Sequence, residues 1–187
     1  AARITQRNEL LIAADLNPDK RSKILDYCKP ELGIKWVRFD ANTGQIDLDD
    51  LKHHLNSNTA AVLFENPSYF GVIEENGEAI SEMAHEVGAL CVVSADPISL
   101  GILTPPADYG ADIVCGDIQS LGMHLNYGGG QAGFIATRDE EKFVMAYPSR
   151  LFGIGPTQVE GEYGFGDVAY DRTSFAIREA GNEWVGT

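Results

Sequence analysis

Lysine is missing from the middle of this chain. Its lysines stand at 20, 23, 29, 35, 52 and 142, and none lies between His53 and Glu141. Covalent catalysis through a lysine amine therefore has no nucleophile in that stretch. Positive charge is scarce throughout: 14 Lys plus Arg face 28 Asp plus Glu, a net charge of -14. Such a chain repels nucleic-acid phosphates and anionic headgroups, so no nucleic acid and no membrane is expected among its partners. No apolar run reaches the roughly 18 to 20 residues that span a bilayer, and no charged-then-apolar leader is present, so the expectation is a soluble, cytoplasmic protein. Cys28, Cys91 and Cys115 form no CxxC pair and have no metal-ligand spacing with His53, His54, His85 or His124. They read as reduced thiols packed as small apolar groups, and no metal site is expected.

What is present is an alternation. Short apolar runs at 9–15, 34–40, 59–66, 90–96, 111–117 and 132–137 read as strands. Between them fall helical patterns: 18–33, entered through Asn17-Pro18, then 47–56 with acidic residues at its start, and 76–89, with Asn76 as cap and Gly88 as stop. A further helix starts at "DEEKFVMAYPSR". Strand and helix alternating through short loops imply an α/β fold of three layers, a mostly parallel sheet with helices on both faces. Residues 1–150 read as this domain. Residues 151–187, rich in glycine and aromatics and with little periodicity, read as an irregular extension of it. The abrupt start and stop point to a piece of a longer protein.

In an open α/β sheet the ligand sits at the carboxyl ends of the strands. Asp96, Asp117 and the loop "NYGGG" fall there. An aspartate at a strand end can pair with the protonated ring nitrogen of a heterocyclic cofactor, but Asp before Pro is also a plain turn signal. Gly128, Gly129 and Gly130 allow N–H groups to cradle a phosphate, or simply permit a tight strand entry. No lysine with Ser or Thr follows them, so they are not a P-loop, and no G-x-G-x-x-G opens a helix after a strand. Asp117, Ser120 and His124 are close in sequence, yet Ser-x-x-x-His does not make a nucleophile elbow. No catalytic residue is assigned.

Four blocks, "ENPSYFGVIEE", "AHEVGALCVVSADPISLGILTPPADYGADIVCGD", "LNYGGGQAGFIATR" and "PSRLFGIGPTQ", together resemble the N-terminal half, or first subunit, of glycine decarboxylase, the P-protein of the glycine cleavage system. The tail "FAIREAGNEWVGT" is similar to that family's "REKATSNICT" element in altered form. The resemblance implies fold type I of the pyridoxal-phosphate enzymes, the aspartate-aminotransferase-like large domain. Its sheet is mostly parallel and seven-stranded, with one antiparallel strand, here 132–137. It also implies an oxidoreductase, glycine dehydrogenase (decarboxylating), that decarboxylates glycine and transfers the aminomethyl group to lipoyl H-protein.

In two-subunit members of the family, subunit 2 carries the lysine that holds pyridoxal phosphate, in a segment like "NLHKTF". Laid on that segment, "GDIQSLG" puts Gln119 at its histidine and Ser120 at its lysine. The resemblance thus implies a chain that lacks its own covalent anchor and shares the site of a lysine-bearing partner. Asn126, Tyr127 and the N–H groups of Gly128, Gly129 and Gly130 then reach the partner's cofactor, and Asp96 stands at the ring-nitrogen position. The alternative is a regulatory or scaffold protein with the fold and no cofactor.

Overall fold

A strand that is apolar at nearly every position needs cover on both faces, and Thr59–Asn66 gets it: only Leu63 is less than fully buried. In the computed structural model, which describes residues 1–122, 124, 132–147 and 152–167, this strand is β3. The chain divides into two compact units, Ala1–Thr137 and Arg138–Gly186.

The first unit opens with the one-turn helix α1 (Ala2–Thr5) and continues as β1 (Glu9–Ala13), α2 (Pro18–Cys28), β2 (Gly33–Val37), α3 (Leu48–His54), β3, α4 (Gly77–Glu86), β4 (Leu90–Ala95), β5 (Ile113–Asp117) and β6 (Gly133–Thr137). The six strands lie in the order β2-β1-β3-β4-β5-β6. All neighbours are parallel except β5 and β6, where Ile113 pairs with Thr137 and Asp117 with Gly133. The antiparallel strand thus falls where the resemblance puts it. Six of the seven strands it implies are present among the described residues.

Alternate residues of the strands build two different layers. Leu11, Ala13, Val62, Phe64, Cys91 and Val93 join Leu51 of α3 and Ile80 and Ala84 of α4 in the main core. The other set, including Leu63, Glu65, Ser94 and Cys115, meets Leu16, Lys20 and Ile24 at α2 around a hollow of about 430 Å³. Helix α2 buries no residue fully, and its Ile24, Leu25 and Cys28 are only half-buried. It starts as its sequence predicts, with the Asn17 side chain accepting from the N–H of Asp19 and Lys20. Asn76, by contrast, sits at the start of α4 without capping it. Its amide nitrogen instead donates to Glu74 Oε1 at 3.0 Å, and the same buried carboxylate oxygen accepts the Asn76 backbone N–H at 2.9 Å.

The amino ends of the strands are tied by Arg7, whose Nη1 donates to the carbonyls of Thr59 at 2.9 Å and Val87 at 2.7 Å. The three cysteines are free, and burial pushes the Cys91 thiol up to about 11. No helix of the described residues is long and apolar enough to cross a membrane. The second unit holds the short helix α5 (Glu141–Val144) and an antiparallel hairpin of β7 (Phe152–Pro156) and β8 (Tyr163–Asp167). That hairpin lies inside the segment whose sequence shows little periodicity.

Phe64 is completely buried at the centre of this sheet. Truncation by Phe64→Ala is expected to cost about 3–5 kcal/mol, measured as a lowered urea midpoint with an unchanged slope.

Candidate functional site

The parallel strands β3, β4 and β5 end on one edge, and their last residues open a cleft of about 300 Å³. Pro67 follows β3, Ala95 ends β4 and Asp96 follows it, and Gly116 and Asp117 close β5. The one-turn helix Gln119–Leu121 adds Gln119 and Ser120, and Lys20 reaches over from α2. Gly116 is required by this closeness: a Cβ there would stand 2.1 Å from the Ala95 carbonyl oxygen. One wall of the cleft is therefore main chain.

Asp96 follows β4, in a turn and on the cleft. It is a turn residue, since its Oδ1 accepts from the N–H of Ile98 at 3.0 Å. It also lines the cleft, where the same oxygen accepts the hydroxyl of Ser120 at 3.0 Å. The residue laid on the lysine position is thereby joined to the residue laid on the ring-nitrogen position. Asp117 makes a matching turn, accepting from the N–H of Gln119 at 2.6 Å. Asn126, Tyr127, Gly128, Gly129 and Gly130 lie outside the described residues. His124 is exposed and does not line the cleft. No group of three His, Cys, Asp or Glu among the described residues could hold a metal ion.

Sequence reasoning missed two residues. Glu65 is a carboxylate inside an apolar strand, 6% exposed, and the Lys20 ammonium forms an ion pair with it. Lys20 also lies 3.4 Å from Ser94 Oγ. The signal was legible in "TAAVLFEN": a charge in a run buried on both faces needs a partner. The partner is 45 residues away in sequence, and only the β1-α2 crossover brings it there.

Beside the cleft, Asp15 follows β1 and is 4% exposed. Its Oδ1 and the hydroxyl of Ser68 are buried and, among the described residues, make no hydrogen bond of full geometry. Burial pushes the Asp15 carboxyl above its ordinary value of 3.8, and Glu65 and Glu74 push it the same way, against the pull of its own backbone and of Ser68.

The cleft's described lining does not suit a phosphorylated cofactor. It holds the carboxylates Glu65, Asp96 and Asp117 against one ammonium, Lys20, which is already paired. A phosphate dianion would meet like charge there, and no unpaired amine is available for a covalent bond.

Residues 1–167 match the profile of the family described as "Glycine cleavage system P-protein". The chain belongs to that family. A relative from Staphylothermus marinus, named "Probable glycine dehydrogenase (decarboxylating) subunit 1", is 39% identical over 160 residues, which cover 85% of this chain and 34% of that protein. A crystal structure of glycine decarboxylase (P-protein) of the glycine cleavage system superposes with a TM-score of 0.77 at 35% identity, over 89% of this chain and 36% of that one. An O-acetylhomoserine (thiol)-lyase from Campylobacter jejuni, bearing N'-pyridoxyl-lysine-5'-monophosphate, shares the fold at 20% identity and a TM-score of 0.56, over 75% of this chain and 33% of that one. The chain spans 34 to 37% of the length of the curated P-protein relatives it matches. The α/β architecture with its mostly parallel sheet is thus that of the P-protein.

Asp15 gives this edge a pH dependence. Its folded-state value is raised, so the stability it contributes is full below 3.8 and is lost as pH rises through the folded value. Asp15→Asn removes this loss. Urea titrations across acidic to neutral pH should show the stability difference between the two proteins moving in the variant's favour as pH rises.

Proposed function

We propose that this chain is part of subunit 1 of glycine dehydrogenase (decarboxylating) and works with a lysine-bearing subunit 2 that holds pyridoxal phosphate covalently. Together they decarboxylate glycine and pass the aminomethyl group to the lipoyl arm of the H-protein, in the cytoplasm. This chain supplies walls of the shared site and no covalent chemistry. Asn126, Tyr127 and the N–H groups of Gly128, Gly129 and Gly130 face the partner's cofactor, and Asp96 keeps a positioning role.

One observation carries this reading. In a chain of the P-protein family, the position laid on the covalent lysine is Ser120, and its hydroxyl is taken up by Asp96. The family names support a second subunit, since the relatives are called subunit 1. The loops around the cleft support an uncovered contact surface: Tyr69 and Phe70 after β3, Ile98 and Ile102 after β4, and Leu121 after β5 are all exposed.

The test is the visible spectrum with pyridoxal phosphate, followed by borohydride. The chain alone is expected to retain no reduced cofactor after denaturation. Mixed with subunit 2 it should give a trapped, glycine-sensitive chromophore on subunit 2 only. Covalent trapping on the isolated chain would overturn the assignment of Ser120. A mixture with no glycine-dependent activity would favour the scaffold reading.

A further inference from the structure

Asp15, Glu65 and Glu74 are three buried carboxylates near the ends of β1 and β3, and they are not equally provided for. Glu74 accepts the N–H of Ile46 on Oε2, and both the N–H and the side-chain amide of Asn76 on Oε1. Glu65 has the Lys20 ammonium. Asp15 has its own backbone and the Ser68 hydroxyl beside it, yet its Oδ1 and that hydroxyl make no hydrogen bond of full geometry among the described residues. Lys20 answers one of the three charges and is already paired. A further negative charge at Asp15 is therefore costly, and burial, with Glu65 and Glu74 close by, holds its carboxyl above the ordinary value. The protonated carboxyl suits the place better, since it has an O–H to give and a hydroxyl beside it that can accept.

Ser68 belongs to a loop whose base is fastened and whose tip is not. At the base, Asn66 Oδ1 accepts the N–H of Glu74 at 3.1 Å, and Gln45 Nε2 donates to the Ile73 carbonyl at 2.7 Å. The backbone bonds of the tip close on the loop itself: the Ser68 N–H donates to the Val72 carbonyl at 2.8 Å, and the Gly71 N–H to the Ser68 carbonyl at 2.9 Å. Tyr69 and Phe70 stand exposed at this tip, with Phe70 resting on Phe39 at 5.6 Å between ring centroids. From Pro67 to Ile73, Ser68 is the one buried residue.

We propose that Asp15 and Ser68 form a proton-operated latch on this loop: the protonated carboxyl gives its O–H to the Ser68 hydroxyl and pins the tip, and loss of that proton releases the tip, with Tyr69 and Phe70, so that water reaches the carboxylate. Because the closed form raises the Asp15 value, the latch holds fully below 3.8 and is lost as pH rises through the folded value. It is built from this chain alone and stands or falls separately from the reading above.

The experiment is amide hydrogen exchange of the 187-residue chain from about pH 4 to about pH 8, each rate divided by the intrinsic rate at that pH. In the parent chain, protection of the Ser68 and Gly71 amides should fall at least about threefold across the range, while that of Ile80, bonded to the Asn76 carbonyl in α4, stays level. Asp15→Asn, which cannot ionise, should show no such fall at Ser68 and Gly71. Ser68→Ala, which removes the hydroxyl and keeps the carboxyl, should already have the Gly71 amide less protected at the acidic end. Level protection of Ile80 verifies that both variants are folded. Parallel pH profiles in the parent chain and Asp15→Asn overturn the proposal. So does a fall in the parent that Ile80 shares, or full protection of Gly71 in Ser68→Ala at acidic pH.

Discussion

The burial of β3 on both faces is the constraint from which the first unit is built. A strand with no face left for water must have strands at both sides and helices above and below. Parallel neighbours meet that demand only through crossovers, so β1 to β5 run the same way and the loop after each emerges on one edge. The cleft is the product of that edge. Asp15, Pro67, Asp96 and Asp117 come from four different parts of the sequence, yet each stands where a parallel strand stops.

Most of this frame was legible because it is written in local pattern. The apolar run of β3, the Asn17-Pro18 entry to α2 and the amphipathic face of α4 each carry a signal within a few residues. Asn76 shows where local pattern stops: the side chain is of the right type for a cap, but its amide nitrogen is held by a buried carboxylate two residues earlier. Lys20 and Glu65 show the larger limit. Nothing near Lys20 marks it as a cleft residue, since its role depends on the crossover that lays α2 over the ends of β3 and β4. The strands β7 and β8 were hidden for another reason. Each has glycine at alternate positions, Gly153 and Gly155 in one and Gly164 and Gly166 in the other, which removes the side-chain alternation that betrays a strand.

The cleft also shows how one carboxylate can join two loops. Asp96 still ends its strand and still turns the loop through Ile98, because both tasks use only its place and its carboxylate. Ser120 gives that carboxylate a second donor and links the loops after β4 and β5. Charge then sets what such a cleft can receive. Three carboxylates and one committed ammonium make surroundings hostile to phosphate.

The contact between Gly116 and the Ala95 carbonyl has a consequence for how this cleft can change over time. A wall of side chains drifts with every substitution nearby, whereas a wall of main chain has no rotamers and follows only the ladder that holds it. Here that ladder is the pairing of β4 with β5, anchored through Ser94 and Cys115. The chemistry of the cleft can be rewritten residue by residue at Lys20, Asp96 or Ser120, while the shape behind them stays the same.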